Sequence, residues 1–431
     1  MATIYAVSSG HPPAAIAVLR VSGTDAFSVV TALAGSLPPP RTARLRSLRD
    51  PATGALLDQA IILAFPAPAT ATGEDLVELH LHGGRAVVRA VEAALAADPR
   101  TRAAEAGEFT RRALLNGRID LTEAEGLADL LTAETELQRR AAVQASGGML
   151  RRTIDTLLDD ILAVSARAEA LLDFSDEADV GDDDAAVALL RTDIAKLAAT
   201  LTDLLVRPTV DRLRDGFRVV LAGPPNSGKS TLINALVDRE VAIVSDIAGT
   251  TRDRIEAHVV VEGYPIMLTD TAGLAEDSSD AIERMGIARA HDAMAQADVI
   301  LWLGDDVVPR AHADRAIALH PRADEAGRGG TREGRLAISA RTGEGFPELW
   351  QRVIAAIADL TPPADSVAMN QRQHALMGHS RDAVEAASRE TDLLLVAEHL
   401  RRARLAFDRI TGRADVEAML DALFGRFCIG K

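Results

Sequence analysis

Residues 217–230 read FRVVLAGPPNSGKS, and no other stretch constrains the fold of this chain so tightly. Residues 217–222 form a short apolar run with β-branched members that stops at Gly223, the pattern of a buried strand. GPPNSGKS over 223–230 then matches the phosphate-loop spacing, and 231–237 continue with the periodicity of an amphipathic helix. The glycines let backbone N–H groups curl round a phosphate at the positive end of that helix. Lys229 is placed to reach the β- and γ-phosphates, and the Ser230 hydroxyl to hold Mg²⁺. Composition sharpens this reading, because lysine occurs only at Lys196, Lys229 and Lys431. A chain that otherwise uses Arg retains Lys where a compact, flexible ammonium is needed instead of a planar fork.

Two further motifs follow in order. DIAGTTRD spans 246–253, and LTDTAG spans 268–273 after a short apolar strand. Asp270 is expected to hold Mg²⁺ through a water, Thr251 to bring a second hydroxyl to the metal, and the Gly273 amide to sense a γ-phosphate. These are the parts of a GTPase switch, in which γ-phosphate contacts order loops and hydrolysis releases them. The expected GTP contacts therefore run through Asn226, Ser227, Gly228, Lys229, Ser230 and Thr231. They continue through Ser245, Asp246, Ile247, Ala248, Gly249, Thr250 and Thr251, and then Asp270, Thr271, Ala272 and Gly273.

Guanine recognition calls for an Asn-Lys-x-Asp element after a later strand. Here the strand-like run 316–319 leads into HPRAD over 320–324. Asp324 can accept the guanine N1 and N2 hydrogens, and Ser339 with Ala340 fits the backbone contact to the guanine carbonyl. Pro321 stands where the Asn belongs and Arg322 where the Lys belongs, so a base contact and a tie to the phosphate loop are expected to be missing. Catalysis also departs from the commonest pattern. Leu274 follows DTAG where many small GTPases place a glutamine that orients water. Glu283 is the nearest candidate for that role. With no evident arginine finger, a cation held in cis by backbone carbonyls would supply the missing positive charge.

The rest of the chain frames this domain. A length of 431 residues suits two to four domains. Residues 3–7, 16–21, 60–65 and 76–82 read as strands and 85–97 as a helix, giving an N-terminal α+β unit. Helical periodicity dominates from about 120 to 206 and returns after 370, so one helical domain is split by the nucleotide domain. A formal net charge of −16 argues against nucleic-acid binding by bulk electrostatics, although Arg pairs could form a local patch. Cys428 is the single cysteine, which excludes an intrachain disulfide and fits a reducing compartment. No apolar run of 18 residues occurs, so no membrane partner and a cytoplasmic location are expected.

With these residues in view, the chain resembles the MnmE (TrmE) family of tRNA-modification GTPases from end to end. The resemblance is carried by IAVLRVSG at 16–23, GEDLVE at 73–78 with HGG at 82–84, and GEFTRR at 107–112. LNGRIDL at 115–121 and the terminal FCIGK at 427–431 extend it. It implies a multi-domain α/β and α architecture: an N-terminal α+β folate-binding and dimerising domain (1–117), a split helical domain (118–209 and 363–431, ending in the CIGK tail) and an inserted P-loop GTPase (Ras-like) domain (210–362).

The resemblance further implies GTP hydrolysis driven by G-domain dimerisation around K⁺. The K⁺ ligands would be the Asn226 side chain and the carbonyls of Ser245, Ile247 and Thr250, while Ser230 and Thr251 hold Mg²⁺. Glu283 falls on the family's catalytic glutamate. Arg20, Glu78, Arg118 and Lys431 fall on positions that bind a tetrahydrofolate derivative (5-formyl- or methylene-tetrahydrofolate); Arg118 stands where the family usually has Lys. Cys428 lies in the tail, where packing and chemical roles are both open. The implied partners are GTP, tRNA, a second copy of the chain and an MnmG (GidA)-type flavoprotein. With that partner, an aminomethyl-type group, often carboxymethylaminomethyl, is placed on C5 of the wobble uridine. Two other readings fit the residues: a GTP-regulated assembly factor for a ribonucleoprotein, and a scaffold whose guanine selectivity has decayed at Pro321.

Overall fold

The computed structural model describes residues 2–174, 183–239, 241–242, 256–271, 289–304, 306–325, 327–328, 334–363, 367–414, 420, 423–425, 427 and 429–430. Its contacts divide the chain into two units, one of residues 1–128, 145–158 and 404–431, the other of residues 129–144 and 159–403.

The first unit is built on a six-stranded sheet of order β3-β4-β5-β2-β1-β6. Its strands are β1 (Thr3–Val7), β2 (Ile16–Ser22), β3 (Arg44–Arg49), β4 (Leu56–Phe65), β5 (Leu76–His82) and β6 (Thr101–Ala103). All pairings are antiparallel except β1 with β6. Alternation decides which side is covered. In β5, Val77, Leu79 and Leu81 enter the core, while Glu78, His80 and His82 point to the other face. The core face is closed by α1 (Ala26–Ala34) and α2 (Arg85–Ala96), whose Val29, Val30, Leu33, Val88, Val91 and Leu95 are buried with those strand residues.

On the opposite side, Phe109 of α3 (Glu108–Leu115) packs with Ile4, Ala6 and Ala104. The chain's end returns to this unit: Ile429 bridges Ala106, and the Ser8 hydroxyl donates to the Gly430 carbonyl at 2.7 Å. Phe424 and Phe427 pack with Leu121 and Leu420.

Four helices follow: α4 (Leu121–Thr132), α5 (Glu136–Ser146), α6 (Met149–Phe174) and α7 (Asp183–Leu205). After the short α8 (Asp211–Asp215) the second unit presents a seven-stranded sheet of order β13-β12-β11-β7-β10-β9-β8. These strands are β7 (Phe217–Ala222), β8 (Val241–Ala242), β9 (Glu256–Val261), β10 (Tyr264–Asp270), β11 (Val299–Leu303), β12 (Ala316–Pro321) and β13 (Leu336–Ile338). β7 is parallel to both its neighbours, β10 and β11, and buried on both faces, which is why its sequence is nearly continuous apolar. α9 (Lys229–Arg239) and α10 (Phe346–Ala358) contribute Leu232, Ile233, Leu236, Leu349, Trp350 and Val353 to its core.

The sheet sits inside a helical region. α7 packs on α11 (Gln371–Arg389), with His374 Nε2 3.0 Å from the Leu205 carbonyl oxygen, although the whole sheet separates them in sequence. α11 opens with a capping box in which the Asn370 side chain takes the Gln373 amide and Gln373 reaches back. The last helix is α12 (Leu393–Thr411). The architecture is thus an N-terminal α+β domain followed by helices interrupted by a P-loop α/β domain.

Candidate nucleotide-binding site

The chain leaves β7 at a topological switch point: β10 pairs on one side of β7 and β11 on the other. In open α/β sheets that divergence leaves a crevice beyond the carboxyl ends of the strands, and the phosphate-loop residues lie there. Gly223 must be glycine. Its φ is +144°, and an added Cβ would lie 2.0 Å from the Leu303 carbonyl oxygen of β11. Asn226 also takes a positive φ, +59°, so the loop turns sharply before α9 begins at Lys229.

Lys229 is buried, and its ammonium donates to the carbonyls of Gly223 (3.1 Å) and Pro224 (2.9 Å). Burial pushes its pKa below the ordinary lysine value, and the nearby Asp270 charge opposes that fall. The Ser230 hydroxyl, on the first turn of α9, donates to Asp270 Oδ2 at 2.5 Å. Asp270 ends β10 and is 4% exposed. A hydroxyl and a carboxylate converging from two elements form a hard-oxygen pair suited to Mg²⁺. Thr271 is fixed by its hydroxyl on the Leu221 carbonyl at 2.8 Å, which docks the end of β10 onto β7.

Beside the loop opens a cavity of about 390 Å³, lined in part by Ser227, Gly228, Thr231, Pro321, Asp324 and Ala340. Asp324 is clasped on both oxygens, Oδ1 by the Ser339 hydroxyl at 2.5 Å and Oδ2 by Arg341 Nε at 2.7 Å. Those bonds, Ser339 first, hold its carboxyl below the usual carboxylate range, so it stands ready as an acceptor. Ser227 Oγ is buried without a hydrogen-bond partner among the described residues, an uncompensated donor and acceptor suited to a polar ligand.

One expectation changes. The substitution of HPRAD for the usual base element predicts a missing tie to the phosphate loop. Instead, Arg322 takes a left-handed backbone conformation (φ +60°), and its guanidinium donates to the Asn226 carbonyl at 3.1 Å. The guanidinium is long enough to span from β12's end to the loop, a reach that sequence spacing does not reveal. Pro321 still has no side-chain amide. Arg341, the clasp on Asp324, and Arg239, which anchors the neighbouring backbone, were not among the sequence candidates, because exposed arginines are common in this chain.

The structure brings together Asn226, Ser227, Gly228, Lys229, Ser230, Thr231, Asp270, Thr271, Asp324, Ser339 and Ala340 at one end of the seven-stranded sheet. Ser245, Asp246, Ile247, Ala248, Gly249, Thr250, Thr251, Ala272, Gly273, Glu283, Cys428 and Lys431 lie outside the described residues. In the first unit, Arg20 and Glu78 stand opposite each other on β2 and β5 and form a 2.9 Å ion pair. Arg118 instead donates to the Thr70 carbonyl at 3.1 Å, on the loop before β5.

Comparison with known proteins agrees with this layout. The family described as GTP-binding protein TrmE N-terminus matches residues 3–118, and the MnmE helical domain family matches residues 121–428. The chain is 54% identical over its full length to the tRNA modification GTPase MnmE of Erythrobacter litoralis (strain HTCC2594), covering 100% of each. It is 51% identical to the protein of that name from Novosphingobium aromaticivorans, covering 100% of this chain and 99% of the other. For the one from Rhizorhabdus wittichii the identity is 52%, with 100% and 96% covered. A phosphate loop on β7, its metal-type pair with Asp270 and these full-length likenesses converge: the chain belongs to the MnmE family of tRNA modification GTPases.

Proposed function

We propose that this chain hydrolyses GTP and couples that reaction to modification of the tRNA wobble uridine. The observation that carries the reading is the Lys229–Ser230–Asp270 cluster beside a cavity that ends in the Asp324 carboxylate. Loop amides and Lys229 would bind the phosphates, the ammonium exchanging two carbonyl acceptors for phosphate oxygens. Asp324 would accept the N1 and N2 hydrogens of guanine. Ser230 and Thr251, with Asp270 through water, would hold Mg²⁺, which neutralises charge developing on the phosphates. Asn226 with the carbonyls of Ser245, Ile247 and Thr250 would hold K⁺ as a second positive charge, and Glu283 would orient the attacking water.

In the fuller form of this reading, the chain acts as a homodimer with an MnmG-type flavoprotein. A tetrahydrofolate derivative held by Arg20, Glu78, Arg118 and Lys431 supplies the carbon placed on C5 of uridine. The Arg20–Glu78 pair supports this in part, as a guanidinium and a carboxylate on one polar sheet face suit a ligand with both acidic and amide-like groups. A cytoplasmic location belongs to the same proposal.

The test is steady-state turnover of GTP and ATP in K⁺ and then in Na⁺, with Glu283→Ala beside the wild type. Guanine-selective turnover that needs K⁺, and that Glu283→Ala lowers while nucleotide affinity stays near wild type, supports the mechanism. Equal turnover of GTP and ATP would favour the scaffold reading suggested by Pro321. Equal turnover in the two salts would remove the K⁺ step, and absence of tetrahydrofolate binding would favour an assembly factor.

A further inference from the structure

We propose that two arginines, Arg341 and Arg239, set the purine selectivity of this site by holding Asp324 in its reading position. The inference rests on the nucleotide reading above and names the residues that give it specificity.

The first observation is at the carboxylate. A carboxylate offers about four lone-pair positions. Ser339 Oγ and Arg341 Nε take one on each oxygen of Asp324, which fixes the plane of the group and leaves acceptor capacity for two adjacent N–H donors. That is the pattern of a guanine edge, with N1–H beside the 2-amino group. Ser339 is itself held, since its hydroxyl accepts the Thr342 amide at 3.1 Å.

The second observation is independent and lies behind the loop. Arg239, the last residue of α9, donates to the carbonyls of Thr342 (3.1 Å) and Arg341 (3.4 Å), and its guanidinium lies 5.3 Å from the Phe346 ring centroid. Gly343 makes the room for it: φ there is +80°, and an added Cβ would fall 1.7 Å from Arg239 Nη1. The loop thus has a place shaped for this guanidinium. Because α9 begins at Lys229, one helix carries the phosphate contact at its start and steadies the base loop at its end.

The Arg341 side chain is 77% exposed, and exposed ion pairs contribute little to folding. Its effect therefore falls on the base and not on the melting temperature. Arg341 and Arg239 act through Asp324, so both are positioning residues.

The experiment compares GTP with ITP, which lacks only the 2-amino group, and with ATP, using the full chain. In the wild type the extra hydrogen bond to a charged acceptor should make kcat/KM for GTP about tenfold or more above that for ITP. Arg341→Ala should bring the GTP-to-ITP ratio towards one, mainly through KM for GTP, with an unchanged melting temperature. Arg341→Lys, which keeps the charge without the planar fork, should recover part of the ratio. Arg239→Ala should move the ratio the same way.

If Arg239→Ala does not fold, Arg341→Ala and Arg341→Lys decide the matter alone. A variant that raises KM for GTP and ITP equally, leaving the ratio at the wild-type value, overturns the inference, because a merely structural role predicts that result. A wild type that prefers GTP to ATP but not to ITP also overturns it and leaves the GTPase reading standing. A wild type that treats GTP and ATP alike refutes that reading itself.

Discussion

Gly223→Ala should damage the site more than any other single methyl group added to the phosphate loop. The new Cβ would lie 2.0 Å from the Leu303 carbonyl oxygen, 2.9 Å from its carbon and 3.2 Å from its nitrogen. All three are backbone atoms of β11, paired to β7 on one side and β12 on the other, so no side chain can swing away. Holding alanine at φ +144° costs about 1–3 kcal/mol, and forcing the overlap apart costs about 1–3 kcal/mol more. A total of roughly 2–6 kcal/mol is a large share of the 5–15 kcal/mol that typically holds a domain together.

Gly228→Ala provides the comparison. Its φ is +97°, but nothing lies within 4 Å of the added Cβ, so only the backbone term of about 1–3 kcal/mol applies to stability, without the overlap term. Urea denaturation followed by tryptophan fluorescence reads this unit directly, because the chain's two tryptophans are Trp302 of β11 and Trp350 of α10. The Gly223 variant should show a much lower midpoint and weakened binding of a fluorescent GTP analogue, since the Gly223 carbonyl also anchors Lys229. Equal midpoints for the two alanine variants would refute the steric argument.

Three further outcomes are expected. Gly378 lies inside α11 with nothing within 4 Å of an added Cβ, so Gly378→Ala should raise stability by about 0.5–1 kcal/mol in the same denaturation assay. Arg112 is 2% exposed and holds Glu74 at 2.9 Å and Glu108 at 2.8 Å; Arg112→Met should cost about 3 kcal/mol in hydrogen-exchange protection of β1 and β6, and Glu74→Gln with Glu108→Gln should recover part of it. Burial opposes ionisation of Glu108, but Arg102, the Glu105 amide and Arg112 outweigh it and hold its pKa at about 2. Because this folded value lies below the ordinary 4.5, the stabilisation is full above pH 4.5 and lost as pH falls towards 2. It amounts to about 3 kcal/mol at most, reduced by screening at half-exposed Arg102. An acid titration of the same protected amides should show the loss, and Glu108→Gln should flatten it.

The phosphate loop, its strand and its helix were legible because each depends on local sequence. An apolar run that ends in glycine, fixed spacing to Lys229 and Ser230, and helical periodicity afterwards all follow from backbone geometry within some twenty residues. β1, β5 and β7 carry the bounds that alternation or apolar runs suggested. The splitting of the helical region was legible too, since periodicity stops before the nucleotide domain and resumes after it. β3 and β6 were not, because Arg-rich, half-exposed strands such as Arg44–Arg49 lack a clean alternation.

What sequence alone determined, then, is the strand–loop–helix of the phosphate-loop motif and the succession of α+β, helical and α/β regions, both written in local pattern. Tertiary structure decided what surrounds Asp324 and the loop before α9. Arg322 reaches Asn226 across 96 positions, Arg341 clasps Asp324 across 17, and Arg239 meets the 341–342 backbone across more than 100. Each is one exposed arginine among many until the sheet aligns β7, β11, β12 and β13 in that order. A long side chain's partner is fixed by distance in space, and only the folded sheet order supplies that distance.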